Sequence, residues 1–231
     1  LFELDYYYDE DWKFKSKNAK LPVMVQFPKS KNMTDEKLAE IESDFNVMED
    51  LVFSSSFPNN NYLDYFDAEA FVNYMIVYQL TLNQEINHPK STYMNKLAGG
   101  KYRMGIIWDF DWGYGYGYEQ NGKHYTTGSA NNYLFWSANN PGTQFFSRLM
   151  TDPAIQKLFK QKWQSFKSDN MDELKRYVYE YADIVALALE KDHKVWGPRN
   201  GSSDAEANVN RLMQWLDLRS NYIDEYVSNF P

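Results

Sequence analysis

The chain has no cysteine among its 231 residues, which excludes disulfides, thiol catalysis and thiolate metal sites. No apolar run approaches the roughly 18 residues that a membrane-spanning helix needs, so no membrane span is expected. Acidic residues outnumber basic ones, the formal net charge is −8, and lysine and arginine form no stripe. Nucleic acid is therefore not an expected partner.

Aromatic residues, by contrast, are abundant. They make up 18% of the chain, with tyrosine the commonest at 19 residues. Tyrosine joins a large apolar ring to a hydroxyl that needs a hydrogen-bond partner. This composition suits semi-polar interior surfaces, or a surface that meets sugars and other amphipathic ligands.

The amino-terminal half shows alternating strand and helix signals. Strands are predicted at residues 1–7 and 21–27, with a polar, hairpin-like excursion between them. Thr34 is predicted to cap a first helix, with acidic residues in its first turn. Asp67 is predicted to cap a second helix that runs to about Leu82 and is apolar on every face, which indicates a buried helix.

A β-hairpin is the next predicted element. A strand from Ser91 to Leu97 turns at Gly99-Gly100 into the strand that carries Asp109. Residues 113–142 lack periodicity and are predicted to form a long loop.

Three helices are predicted to finish the chain. The first follows Asp152-Pro153, the second is marked by apolar residues from Leu174 to Val185, and the third begins at the capping box Ser203 to Glu206. The expected fold class is α+β, a small antiparallel sheet with a β-hairpin packed on a mainly helical carboxy-terminal half.

Two carboxylates form the most informative motif. Asp109 and Asp111 follow an apolar run and lead into a glycine-rich segment. Residues i and i+2 of a strand share a face, so the two acids are predicted to converge. Carboxylate oxygens suit Mg²⁺, which binds through one or two acids and substrate phosphates. Alternatively, one acid caps the following turn and the other is solvated.

The polar loop from Asn83 to Ser91 precedes the hairpin and is predicted to lie near Asp109. Within it, Glu85 is a candidate general base or second metal ligand. His88 is a candidate phosphate donor, and Lys90 is a candidate to neutralise phosphate. The alternative is a polar surface turn that caps the buried helix.

Arg219 is a further candidate, because it lies in line with the apolar stripe of the last helix. An arginine that points inward requires an anion, a carboxylate or an equivalent partner. A structural salt bridge, an anion-binding role and a bridge to the Asp109 loop all remain open.

These residues carry a resemblance to the CotH family, the spore-coat protein H type of atypical protein kinase. The similar segments include Leu1 to Asp5, the Leu21-Pro22 strand, the loop 83–91 with Thr92-Tyr93-Met94, and Gly105 to Asp111 with its Trp-Asp-Phe-Asp sequence. The resemblance implies a distant protein-kinase-like fold that binds ATP with Mg²⁺ or Mn²⁺ and phosphorylates Ser or Thr of coat or secreted proteins. An exported or cell-envelope location follows by the same resemblance.

The resemblance also assigns roles. Asp109 matches the metal-binding acid, and Asp111 is expected to assist it. Ser91 occupies the place of a metal-binding Asn, and Glu85 is the nearest acid to the family's catalytic Asp, one residue out of register. Ser91 is therefore expected to bind the cofactor, alongside His88, Lys90 and Arg219, which were proposed above from the residues themselves.

Two further expectations concern the whole chain. The chain is expected to be a single CotH-like domain fragment, whose nucleotide loop and lysine would precede Leu1. The competing hypothesis is a non-catalytic cell-envelope protein that binds glycan or protein through the aromatic-rich loop 112–136.

Overall fold

Short strands and long helices make up the fold, which is seen in a computed structural model that describes residues 1–119, 122–197 and 202–231. The strands are β1 (Phe2–Leu4), β2 (Lys13–Lys15), β3 (Pro22–Val25), β4 (Thr92–Asn95), β5 (Arg103–Met104), β6 (Tyr116–Glu119) and β7 (Gly122–Tyr125). The helices are α1 (Asp35–Phe53), α2 (Ala68–Thr81), α3 (Pro141–Leu149), α4 (Pro153–Trp196) and α5 (Ala205–Ser228). The α+β fold class is confirmed.

Five of the strands form one antiparallel sheet in the order β2-β3-β1-β4-β5. In the central strand β1, Leu4 pairs with Val23 on one side and Thr92 on the other, and all three are buried. This register places the residues that follow β1 beside those that precede β4.

The predicted hairpin is present, but its second strand is shorter than expected. Strand β5 ends at Met104 because only two of its residues pair with β4. Asp109 has a left-handed backbone, with φ of 58°, so it lies in an irregular segment. The rule that residues i and i+2 share a face of a strand therefore does not apply to Asp109 and Asp111.

Both predicted amino-terminal caps are confirmed. The Thr34 hydroxyl accepts a hydrogen bond from the Lys37 amide, and the Asp67 carboxylate accepts one from the Ala70 amide. Helix α2 is buried, as its all-round apolar pattern predicted, and ends before Leu82, where the backbone turns left-handed at φ of 51°.

The last carbonyls of α2 would lack partners at a free helix end, but the structure satisfies them with three donors. These are Arg219 Nε to Gln79 O at 2.5 Å, Trp215 Nε1 to Leu80 O at 3.0 Å, and Tyr114 N to Thr81 O at 2.6 Å. Two of the donors come from α5, so α5 fixes the point where the chain leaves α2.

Three predictions for the carboxy-terminal half are wrong. The predicted loop 113–142 contains the β6–β7 hairpin and the start of α3, while residues 120 and 121 lie outside the described residues. The two helices predicted after Asp152 are one 44-residue helix, α4, because no glycine or proline interrupts it after Pro153. Helix α5 is capped by Asp204 rather than Ser203.

Within the described ranges, every helix is too short or too polar to cross a bilayer.

Candidate functional site

The candidate site is built on the turn that follows α2. Residues Gln84–Asn87 form one 3₁₀ turn, and the Asn83 side chain caps it by accepting from the Glu85 amide at 3.0 Å. The same side chain donates to the backbone carbonyl of Asp109 at 3.3 Å. Asn83 therefore joins the two segments that the sequence predicted to lie close together.

Glu85 is an almost fully buried acid, with 1% of its surface exposed. The Lys90 ammonium forms an ion pair with Glu85 Oε1 at 2.9 Å, while Oε2 has no hydrogen-bond partner among the described residues. Burial raises the pKa of Glu85 against the pull of Lys90, and the charges of Asp109 and Asp111 add to the rise. A carboxylate with a raised pKa and an unpaired oxygen is suited to accept a proton.

Lys90 lies between this acid and two aromatic rings. Its ammonium is 5.8 Å from the centre of the Tyr7 ring and 5.6 Å from that of Trp112. Burial lowers the pKa of Lys90, but contact with Glu85 and the charge of Asp109 outweigh that effect and hold the pKa above its ordinary value. Lys90 is thus a fixed positive charge at the site.

Asp109 is exposed and directed towards the same turn. The Ser91 hydroxyl donates to Asp109 Oδ2 at 3.3 Å, and Ser91 itself has a left-handed backbone with φ of 47°. Asp111 follows in the next turn, where its carbonyl accepts from the Tyr125 hydroxyl at 3.1 Å. The structure therefore brings Glu85, Lys90, Ser91 and Asp109 together, with Asp111 close enough to affect the pKa of Glu85.

Asp5 is a site residue that the sequence analysis did not identify. It is buried, and its carboxylate accepts from the Ser91 amide at 3.2 Å and from the Tyr7 amide at 2.8 Å. Asp5 lies beside Ser91 because Leu4 of β1 pairs with Thr92 of β4. The sequence did show Asp5 as an acid within a predicted strand. Its position beside Ser91 could be found only from the order of the strands in the sheet.

His88 lies at the edge of the cluster. Its ring packs edge-on against Tyr6, with ring centres 5.2 Å apart. Burial and the charge of Lys90 lower the pKa of His88, so the neutral imidazole is favoured.

Arg219 has partners that differ from those predicted. It is fully buried and donates to the backbone carbonyls of Gln79, Ala130 and Asn132, and also to the Gln79 side chain. It forms no ion pair with any residue the structure describes. The predicted salt bridge and the predicted bridge to the Asp109 loop are both absent from these contacts, and Arg219 instead ties segment 130–132 to α2.

Comparison with known proteins fits this arrangement. The family model described as CotH kinase protein matches residues 5–223, nearly the whole chain. The chain belongs to the CotH kinase family. Comparison with curated proteins and with solved structures gave no match.

The acids of this CotH-family chain fit a cation that is shared with a phosphate ligand. No three Asp, Glu or His side chains among the described residues form a group that could hold a metal by themselves. Mg²⁺ usually needs only one or two carboxylates when substrate phosphates and water complete its shell. Asp109 and Asp111 are two carboxylates on neighbouring turns, which is the number that such a cation requires, and Lys90 carries a positive charge close to Asp109.

Proposed function

We propose that the chain acts as an atypical protein kinase that uses ATP with Mg²⁺ or Mn²⁺ and phosphorylates Ser or Thr of coat or secreted proteins, in an exported or cell-envelope setting. One observation carries the proposal. Asp109 lies in the same cluster as the buried Glu85–Lys90 pair, joined to it through Ser91 and Asn83. Membership of the CotH kinase family supports it independently.

Each residue of the cluster has a task in this proposal. Asp109, assisted by Asp111, would hold the cation, and Ser91 orients Asp109 through its hydroxyl. Glu85 would accept the proton of the acceptor hydroxyl, a role that its raised pKa favours. When bound, Mg²⁺ and ATP supply the phosphoryl group and the neutralisation of its charge.

The remaining cofactor-binding roles concern charge and orientation. Lys90 would attract phosphate oxygens, since its ammonium is held in place by Glu85 and two rings. His88, as a neutral imidazole, would donate one hydrogen bond to phosphate. Arg219 would act indirectly, by holding segment 130–132 and the end of α2.

A groove beside the cluster offers room for the nucleoside. Its volume is about 1090 Å³, and its lining includes Glu3, Tyr93 and Leu97. The Tyr93 hydroxyl donates to Glu3 Oε1 at 2.8 Å. Tyr93 lies in β4, two residues after Ser91, whose hydroxyl contacts Asp109, so this end of the groove is close to the acidic cluster.

Transfer of labelled phosphate from ATP to a peptide library containing Ser and Thr tests the proposal. With Mg²⁺ or Mn²⁺, the wild-type protein should label peptide, and Asp109→Ala should lower the rate by about 100-fold or more, because metal-bound charge stabilisation is worth several kcal/mol. Asp172→Ala, an exposed acid on α4, is the matched control and should retain the wild-type rate. Absence of transfer by the wild type, or an unchanged rate in Asp109→Ala, would refute the kinase proposal.

The second candidate function is a non-catalytic envelope protein that binds glycan or protein. The observation that favours it is the exposure of Trp112, Tyr133 and Trp136, together with Trp108 next to Asp109, and Trp112 lies beside Lys90 of the acidic cluster. The proposed loop 112–136 includes residues 120 and 121, which lie outside the described residues. Binding to polysaccharide without any ATP-dependent rise in melting temperature would favour this function over the kinase.

A further inference from the structure

The distal half of α4 exposes large apolar side chains along its length. Met171 is the last buried residue of this helix. Beyond it, the exposed fractions of Tyr177, Tyr181, Ile184, Leu187 and Val195 range from 49% to 74%. Solitary exposed apolar residues are ordinary, but a contiguous set marks a surface that binds something.

Four of these residues, together with Ala188 and Lys191, have the spacing of a coiled-coil seam, and Leu187 lies at its edge. The seam comprises Tyr177, Tyr181, Ile184, Ala188, Lys191 and Val195, separated by four, three, four, three and four residues. Alternating steps of four and three place side chains in one stripe over three heptads.

Beyond Tyr181, this seam is distinct from the face of α4 that packs on α5. Val178, Val185 and Leu189 line a small cleft, of about 300 Å³, together with Val209 of α5, and Tyr177 and Tyr181 of the seam lie at its edge. Val178, Val185 and Leu189 lie roughly 100° around the helix from the seam, given 3.6 residues per turn. Helix α5 therefore leaves the seam from Ile184 to Val195 uncovered, and Tyr177 and Tyr181 remain about half exposed beside the cleft.

The area of the seam, with Leu187 at its edge, approaches what each partner of a stable dimer buries. At roughly 200 Å² for a fully exposed large side chain, the five exposed apolar residues present about 600 Å². Ala188, Lys191 and the stems of flanking charged residues bring this close to the 800 Å² or so that each partner contributes to a standard interface.

The charges along one edge of the seam are arranged so that opposite charges face each other when two copies of the chain meet. Glu180, Leu187 and Lys194 are spaced seven residues apart, so they lie on the same edge. A two-fold axis near Leu187 places Glu180 opposite the partner's Lys194, and Lys194 opposite the partner's Glu180. The same axis interleaves Ile184 with the partner's Ala188, and Tyr177 with the partner's Val195.

We propose that two copies of the chain associate through this seam, antiparallel, as an isologous dimer. Within one chain, Glu180 pairs with Arg176 at 3.4 Å and Lys194 pairs with Glu190. All four side chains are more than half exposed, and such surface pairs stabilise a helix weakly. They are free to exchange for contacts between the two copies.

A charge exchange in the full chain tests the proposal, with the dimer dissociation constant measured by sedimentation equilibrium. Glu180→Lys and Lys194→Glu should each raise that constant about tenfold, because each creates two repulsive pairs across the axis. The double variant should return it to near the wild-type value, although it leaves like charges beside Arg176 and Glu190 within each helix.

Glu190→Lys is the matched control. It breaks the same pair within the helix as Lys194→Glu, but it lies away from the seam and should leave the dissociation constant unchanged. A wild-type protein that stays monomeric, or that binds lipid vesicles as a monomer, would overturn the proposal. So would a double variant that dissociates as readily as the single ones.

Cross-linking provides a second measurement, which reports the position of the contact between the two copies. Because the chain lacks cysteine, Leu187→Cys introduces one thiol at the proposed axis. Mild oxidation should join two copies of Leu187→Cys rapidly. Ala186→Cys, on the opposite side of the helix, should cross-link at about one tenth of that rate or less, because a disulfide needs the two Cβ atoms roughly 4 Å apart. Equal rates for the two variants would overturn the proposal.

Discussion

Glu85 holds a carboxyl group where burial makes its charge costly. Its pKa is raised, so between the ordinary pKa of glutamate and the raised value the native state binds more protons than the unfolded state. Stability therefore falls as pH rises through that window. Lys90 stays charged throughout, and its attraction is already contained in the pKa of Glu85, which burial raises in spite of it.

Glu85→Gln should remove this pH dependence. As pH rises from about 4 to about 7, the free energy of unfolding of Glu85→Gln should increase relative to that of the wild type. Urea unfolding at a series of pH values measures the difference. Glu173→Gln, an exposed acid on α4, is the control and should run parallel to the wild type. If Glu85→Gln also runs parallel, Glu85 does not titrate as burial requires.

At the scale of elements, one arginine connects three parts of the fold. Arg219 of α5 reaches the end of α2 and segment 130–132, and burial lowers its pKa to about 10, which leaves it charged at neutral pH. The end of α2 leads directly into the turn that carries Glu85. A second contact secures that turn, because the Asn87 side chain donates to the Leu134 carbonyl at 3.0 Å.

Arg219→Lys should lower the free energy of unfolding by about 3 kcal/mol, because lysine cannot reproduce the planar fork and leaves buried carbonyls unpaired. Urea unfolding measures the loss, and hydrogen exchange should show faster exchange of amides near segment 130–132. Arg176→Lys, at an exposed site on α4, should cost less than about 0.5 kcal/mol. Equal stability of the two variants would show that Arg219 does not hold these elements together.

At the scale of the whole molecule, short sequence patterns were sufficient to predict some features of the fold and insufficient to predict others. The caps at Thr34 and Asp67 were predictable because each depends on a few adjacent residues. The proximity of the turn 83–91 to Asp109 was also predictable, since a short hairpin separates them. The end of β5 at Met104 was not, because pairing with β4 decides it.

The candidate site also contains residues that the sequence could predict and residues that it could not. Glu85, Lys90 and Asp109 could be proposed from residue types and spacing. Asp5 could not, because its contact with Ser91 depends on β1 lying beside β4, a pairing across 86 residues of sequence. The partners of Arg219 were missed for a related reason, since backbone carbonyls leave no trace in a sequence.

The central claim is that Asp109 binds a divalent cation together with the phosphates of a nucleotide. Titration with Mn²⁺ tests this claim, with the free ion measured by its paramagnetic resonance. The titration is done with and without ATP, and Asp172→Asn is the control. We expect the protein with ATP to bind more Mn²⁺ than protein alone and ATP alone account for, and Asp109→Asn to weaken this binding about tenfold or more. Identical Mn²⁺ binding by the wild type and Asp109→Asn would contradict the claim.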